Sequence, residues 1–424
     1  MGIILISSIS LFGQYNANSP YSRYGLGELN QNGFAQNSSM GGLAIGLREP
    51  NQINIQNPAS LTAQDTMSFI WDIGLMSKIS KTSSSNASNI KSNFNFDHLA
   101  VSFSVTKKYY VSIGLLPYST KGYSIAYTSP TTNAGNVNYT FKGSGNLNQI
   151  FFGNAIGLLK KKVNIGLNLS YIFGELNLEN SYTPINSAKG ALADSSVITN
   201  FNQNNIVNGL SFNVGIQGDF ILSPSVRMIG GAIFTPGANL KSDFKSNVIR
   251  EYPIASSIYT NKDTLISDTI NSTYKIPLKF GIGASFIFKE KLIIGIDYST
   301  QDWSKAIFNN TLDNSSLKSD NRISIGLQYT PNSESFRSYF DRIRYRAGAF
   351  YNDTYIKASG TPIKDYGFSV GFGIPLRNGK SMFNIGSEFG RRGTTDNNLV
   401  QIDYSRITFS LILYDNWFFK RKYD

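Results

Sequence analysis

From Val163 to Phe173 the odd positions are Val163, Ile165, Leu167, Leu169, Tyr171 and Phe173, and the intervening ones are Asn164, Gly166, Asn168, Ser170 and Ile172. Successive side chains of a strand point to opposite faces, so this stretch predicts a strand with one greasy face and one small, polar face. It is as long as a membrane-crossing strand, roughly 9 to 11 residues. The pattern recurs in Leu99, Val101, Phe103 and Val105 against His98, Ala100, Ser102 and Ser104. It recurs again in Tyr366, Phe368, Val370, Phe372 and Ile374 against Gly367, Ser369, Gly371 and Gly373. A soluble sandwich also alternates, but its polar face meets water and carries many Lys and Glu. Gly, Ser and Asn on that face fit the inside of a barrel.

About fourteen such segments follow one another, near residues 67–78, 96–106, 109–118, 137–158, 162–174, 206–221, 226–235, 274–288, 292–299, 321–330, 342–352, 365–375, 381–390 and 403–414. Several connections on one side are short, as in Leu222-Ser223-Pro224-Ser225 and Leu376-Arg377-Asn378-Gly379. Those on the other side are longer and rich in Ser, Asn, Thr and Asp, above all 175–205 and 236–273, which are expected to be extracellular loops. Pro331 to Asp341 departs from this layout and predicts a small helix. Short turns at one end and long loops at the other are the outer-membrane barrel arrangement. The expected fold is therefore all-β: a transmembrane antiparallel β-barrel of about 14 strands, over residues 66–416, with an N-terminal plug segment at 15–65.

Composition removes the competitors. Charged residues are 16%, where ordinary soluble domains have about 25%. Past the N-terminus no run approaches the roughly 18 apolar residues of a membrane helix. Gly2 to Gly13 is an apolar stretch of secretory length, so residues 1–14 are expected to be an export signal, without a basic n-region and with an open translation start. Residues 417–424 are expected to be a periplasmic tail. With no cysteine, the chain has no disulfide scaffold, thiolate metal site or cysteine nucleophile. The net charge of +12 resides mostly in clusters between the apolar runs: Lys107-Lys108, Lys160-Lys161-Lys162, Lys289-Glu290-Lys291, Arg377 with Lys380, and Lys420-Arg421-Lys422. Basic turns at one end of a barrel face anionic lipid headgroups, which explains the charge without nucleic acid. Outer-membrane lipid and lipopolysaccharide are the expected partners of such a barrel.

Ahead of the first strand stand Asn18-Ser19-Pro20-Tyr21-Ser22-Arg23-Tyr24-Gly25-Leu26-Gly27, Met40-Gly41-Gly42-Leu43-Ala44 and Asn57-Pro58-Ala59-Ser60-Leu61. Asn-Pro-Ala just before the first strand, a Gly-rich segment before it and some fourteen strands after it resemble the long-chain fatty acid transporter (FadL) family, in the form typical of Bacteroidetes. The closing Trp417 to Tyr423 is similar to the ends of PorV-type barrels of that phylum. The resemblance implies a barrel in the outer membrane, plugged by its own N-terminal segment, that admits hydrophobic molecules and releases them sideways. A lumen of this size also calls for a filler on physical grounds. Asn57, Pro58 and Ala59 are the expected hinge between plug and first strand, since Pro58 fixes φ and Asn57 can bond freed backbone groups.

His98 is the only histidine, and a barrel hydrolase needs a nucleophile with a base. Its same-face neighbours are Ala100 and Ser102, so His98 is expected to be a structural, lumen-facing residue and the chain not an enzyme. No metal ligand set and no cofactor motif is found; Gly281-Ile282-Gly283 and Gly371-Phe372-Gly373 lie inside strands. Parity directs Lys275, Lys279, Arg344, Arg346, Glu388 and Arg406 into the lumen, either as an ion-pair network joining plug and wall or as a lining for an anionic headgroup. In the third segment, Gly114 and Pro117, with Gly122 beyond them, predict a kink that breaks the ladder and forms a candidate lateral gate. The first functional expectation is a passive channel for hydrophobic or amphipathic small molecules. The alternative is a scaffold or accessory subunit of an outer-membrane machine for secretion or barrel assembly, with other outer-membrane proteins as partners. Both termini are expected in the periplasm.

Overall fold

The computed structural model describes residues 19–30, 33–85, 87–131, 135–185, 197–253, 260–308, 316–376 and 379–416. The expected export signal, Arg377 and the C-terminal tail lie outside them. The strands, in chain order, are β1 (Glu28–Leu29), β2 (Ser68–Ser83), β3 (Ser88–Ser104), β4 (Tyr109–Thr131), β5 (Gly135–Leu158), β6 (Val163–Ile185), β7 (Ile198–Ser223), β8 (Val226–Thr235) and β9 (Ala238–Pro253). They continue as β10 (Thr260–Ile276), β11 (Lys279–Phe288), β12 (Leu292–Asp302), β13 (Ser319–Tyr329), β14 (Arg344–Ala358), β15 (Thr361–Pro375), β16 (Met382–Arg392) and β17 (Gln401–Asn416).

β8 and β9 are one strand interrupted at Pro236-Gly237, and β10 and β11 one strand interrupted at Pro277-Leu278, since β9 pairs with β10 and β8 with β11. A proline donates nothing to a ladder, so each interruption falls beside one. With each pair taken as one strand, and with β17 paired back to β2, the sheet is a closed 14-strand antiparallel barrel. Closure leaves no edge for hydrocarbon to desolvate, which is why a strand protein can span a membrane.

The alternation resolves into two surfaces. Ile165, Leu167, Tyr171, Phe368 and Val370 are exposed on the outside, while Asn164, Asn168, Ser170 and Ser369 are buried on the inside. A ring of exposed Ile, Leu, Phe and Val around a closed barrel is a lipid-facing belt, and the chain is a transmembrane barrel of the outer-membrane type.

The two long hydrophilic stretches expected as loops are mostly strand. β6 and β7 run on to Ile185 and from Ile198, and β9 and β10 run to Pro253 and from Thr260. Together with β4 and β5 they form a wall that stands well past the apolar belt at the loop end. Their outward positions above the belt are mostly Asn, Ser, Thr, Lys, Glu and Asp because no lipid faces them there, so the hydrophobic signal ends while the ladder continues. At the turn end, the connection of residues 330–343 carries a short 3-10 helix, Phe340–Arg342.

Candidate functional site

Residues 19–30 and 33–65 occupy the lumen. Leu26, Phe34, Met40, Leu43, Leu47, Ile53 and Leu61 of this segment are almost fully buried. Its backbone polar groups would be stranded there without partners, and the wall supplies them. The Asp297 carboxylate accepts from the amides of Ala44 at 2.6 Å, Ile45 at 2.7 Å and Gly46 at 3.2 Å. Gln217 Nε2 donates to the Ile45 and Leu47 carbonyls, both at 3.0 Å, and Asn168 Nδ2 to the Ile55 carbonyl at 2.7 Å. Close approach needs small wall residues: a Cβ on Gly231 would overlap the Ile45 carbonyl, and one on Gly348 would overlap the backbone between Met40 and Gly41. The glycine face seen in the alternation is thus the bed on which this segment lies.

Asn57, Pro58 and Ala59 sit at the foot of the segment. Asn57 caps a 3-10 helix, Pro58–Ala63, by accepting from the Ala59 amide at 3.2 Å. Its Nδ2 donates to Ile45 at 2.8 Å and to Ile216 of β7 at 3.2 Å, and Gly166 and Gly215 leave room for the turn. The motif ties two parts of the lumen segment to the wall, and the chain enters β2 at Ser68.

The second feature is a lateral gap. β3 and β4 pair only from Leu99 with Leu115 to Ser104 with Tyr110. Above that, among the described residues, β3 pairs with β2 and β4 with β5, but not with each other. Pro117 lies just past the last pair, and a bulge at Tyr118 kinks β4 against β5. The lumen segment takes the free edge of β4: β1 pairs Leu29 with Ser119 and Glu28 with Thr120, and the Asn30 amide donates to the Tyr118 carbonyl at 3.0 Å. Gly122 exchanges both its backbone groups with Ser22 Oγ, each at 3.1 Å. Gly27, at φ +97°, has room only for hydrogen, since a Cβ would meet the Thr120 carbonyl at 2.5 Å. Gly114 is still within the β3–β4 ladder, where its missing side chain makes room for the Phe151 ring.

Behind the gap lies a cavity of about 170 Å³ lined by Phe96, Pro117 and Thr120 of the wall, Glu28 of β1, and Glu388, Arg392 and Arg406. Glu28 bonds Lys78 at 2.7 Å and Arg392 at 2.6 Å; burial alone would raise its carboxyl, but Arg392 and Lys78 hold it well below the usual range. Arg392 also pairs with Asp365 at 2.6 Å, and Arg406 with Glu388 at 2.5 Å. Arg344 reaches Glu49 of the lumen segment at 2.6 Å, and Arg346 bonds Gln328 at 2.6 Å and Asn384 at 2.7 Å. Lys279 lines a second lumen cavity of about 200 Å³, beside Asp320 and Arg322. Lys275 does not face the lumen: it is exposed, opposite to the buried Tyr274 and Ile276, because the interruption at Pro277-Leu278 shifts parity between β10 and β11.

His98 is buried on the lumen side, between Asp97 Oδ2 at 2.7 Å and Asp72 Oδ1 at 2.9 Å, and stacks on Phe34 of the lumen segment. Alternation alone would direct Asp97 to lipid. A bulge opposite Gly74 and Leu75 turns it inward.

At the loop end an apolar core crosses the barrel: Leu147, Leu176, Leu240 and Tyr355 of the wall meet Tyr21 and Leu26 of the lumen segment and Trp303 and Phe308 of the β12–β13 connection. The sequence offered little warning of this. Trp303 and Phe308 stand in a polar connection, and Asp297, Glu28, Asp365 and Arg392 carried no motif beyond being charges in an uncharged context.

Several solved structures share the fold. The Pseudomonas putida toluene transporter TodX is similar with a TM-score of 0.59 at 16% identity, over 92% of this chain and 99% of that one. The Ralstonia pickettii toluene transporter TbuX gives 0.58 at 13%, over 90% and 98%. A Pseudomonas aeruginosa FadL homologue gives 0.57 at 9%, over 92% and 99%. The fold is therefore FadL-like. A comparison with curated protein sequences finds no match. The BamG family model matches residues 1–424, so along its whole length this chain belongs to the BamG family.

Proposed function

We propose that this barrel is a non-transporting scaffold or accessory subunit of an outer-membrane protein machine, for secretion or barrel assembly, with its turn end and both termini in the periplasm. The observation that carries this reading is the filling of the lumen. The loop-end core crosses the barrel, and the segment beneath it is bonded to β6, β7, β11, β12 and β14. The route through the gap is lined by Glu28, Lys78, Arg392, Glu388 and Arg406, whose ion pairs an apolar solute would have to displace. The tall wall of β4 to β10 offers a partner a paired sheet surface clear of the membrane.

The gap between β3 and β4 supports the second reading, a lateral channel for hydrophobic or amphipathic molecules, as TodX and TbuX are transporters of toluene. One engineered cross-link separates the two. The natural chain has no cysteine, and directly opposed antiparallel residues stand at disulfide distance. Leu29→Cys with Ser119→Cys would lock β1 across the gap. Uptake of a labelled aromatic hydrocarbon into proteoliposomes, absent or equal with the lock open and closed, is expected for the scaffold. Co-purification of the native barrel with another outer-membrane protein at fixed stoichiometry is expected too. Uptake that is present when reduced and lost on oxidation would replace it with the channel.

A further inference from the structure

Above the apolar belt, one face of the tall wall changes character row by row. Directly opposed residues of neighbouring strands share a face, so the ladder defines the rows. The last row that is apolar throughout is Ile150, Tyr171 and Leu210, all exposed to the outside, with Phe173 one row above it and the exposed Ile206 two rows above it. Lys275 of β10 pairs with Asn239, and one row up Lys241 pairs with Asn208 and Thr273, placing two exposed lysines at the rim of the belt. The next row holds Asn146, Glu175, Ile206, Asp243 and Asn271, and above it come Ser144, Asn177, Asn204, Lys245 and Thr269, and then Lys142, Glu179, Asn202, Asn247 and Ser267. The upper two rows line a groove of about 410 Å³ on the outer face. Asn204 and Asn177 are held in line by bonds to each other, at 2.9 Å, and to Glu175. Among the described residues Lys241, Lys245 and Lys275 form no ion pair with a side chain of the barrel.

We propose that this outer face of β5, β6, β7, β9 and β10 binds the head of a phosphorylated glycolipid of the surrounding leaflet. The face carries the chemistries of such a molecule: acyl chains against Ile150, Tyr171 and Leu210, phosphates at Lys275, Lys241 and Lys245, and sugar hydroxyls against the amides and carboxylates of Asn177, Asn204, Glu175 and Asp243. Asparagine amides present a donor and an acceptor together, which suits a hydroxyl. The groove row lies six residues beyond Tyr171, about 20 Å along the strand, past the hydrocarbon and level with a headgroup glycan. A phosphate-only lipid would leave the amide and hydroxyl side chains of the upper two rows unused, and a neutral glycan would leave the lysines unused. The assignment rests on the loop end facing outward, and it is independent of whether the lumen conducts.

The test uses the full chain in detergent with native mass spectrometry, titrated with lipopolysaccharide, with its lipid A part alone, and with phosphatidylglycerol. Each lysine near a membrane surface contributes on the order of fivefold. The triple variant K241E/K245E/K275E is expected to lose about 100-fold in affinity for both phosphorylated glycolipids. Asn177→Leu with Asn204→Leu is expected to lose affinity for the full lipopolysaccharide while keeping that for lipid A. Equal binding of phosphatidylglycerol and lipopolysaccharide, or unchanged affinity in both variants with the barrel still folded by heat-modifiable migration, would overturn the proposal. Ser267→Cys, in the upper groove row, is expected to react with an impermeant maleimide on intact cells and Ser223→Cys is not; reversed labelling would refute the site through its orientation and leave the lumen reading untouched.

Discussion

Asp297→Ala is expected to unseat the lumen segment while leaving the barrel closed. One carboxylate on β12 accepts three successive amides, those of Ala44, Ile45 and Gly46, in a buried place where water does not replace it. A buried donor left unpaired costs about 1 to 3 kcal/mol, and neighbours share part of that by relaxation, so a total of about 3 to 5 kcal/mol is expected. The loss falls on segment docking, not on the ladder, because Asp297 keeps its backbone pairs with Gly283 and Ser324. Limited proteolysis of the folded protein should then cut between residues 33 and 65, where the parent resists. Asp297→Asn keeps one acceptor oxygen and should restore part of the protection. A segment that stays protected in the Ala variant would remove Asp297 as its anchor.

Leu167→Arg and Asn168→Arg are expected to fail in different ways. Leu167 lies in the lipid belt, and arginine near the bilayer midplane costs about 2 to 4 kcal/mol, so the first variant should assemble poorly in the membrane. Asn168 faces inward but not into an open lumen: it is 2% exposed and donates to the Ile55 carbonyl. Arginine there should leave membrane assembly nearly intact and displace the lumen segment, seen as protease sensitivity of a heat-modifiable barrel. Loss of assembly in both, or in neither, would contradict the assignment of faces.

The contrast between these neighbours shows how far periodicity reaches. Alternation placed Leu167 outside and Asn168 inside, and the structure agrees, because which face a strand residue occupies is a local property of the backbone. What covers Asn168 is not local. Its partner is 113 residues away, and no pattern within β6 encodes it. The same limit explains Lys275, whose inward placement from parity fails at Pro277-Leu278, and Asp97, which a bulge turns toward His98. A single interruption inverts every parity beyond it, and only the pairing partner reveals the interruption.

The lateral gap divides in the same way. Pro117 announced a broken ladder because proline has no N–H to give, whichever strands lie beside it. That β3 withdraws above Leu99, and that Glu28 and Leu29 of the lumen segment take the vacated edge, depends on contacts across about ninety residues of chain.

An all-β membrane barrel of about fourteen strands, with an N-terminal segment to fill it, is legible in the chain alone, because two-residue periodicity, strand length and turn chemistry are short-range. Where the strands end depends on the folded barrel, since the wall above the belt is held by hydrogen bonds between Asn- and Ser-rich strands that no hydrophobic pattern marks. The folded barrel also sets what each buried charge meets. Glu28 with Arg392, Glu49 with Arg344 and Asp297 with three amides are brought together by closure of the barrel around the segment, and burial makes those meetings strong.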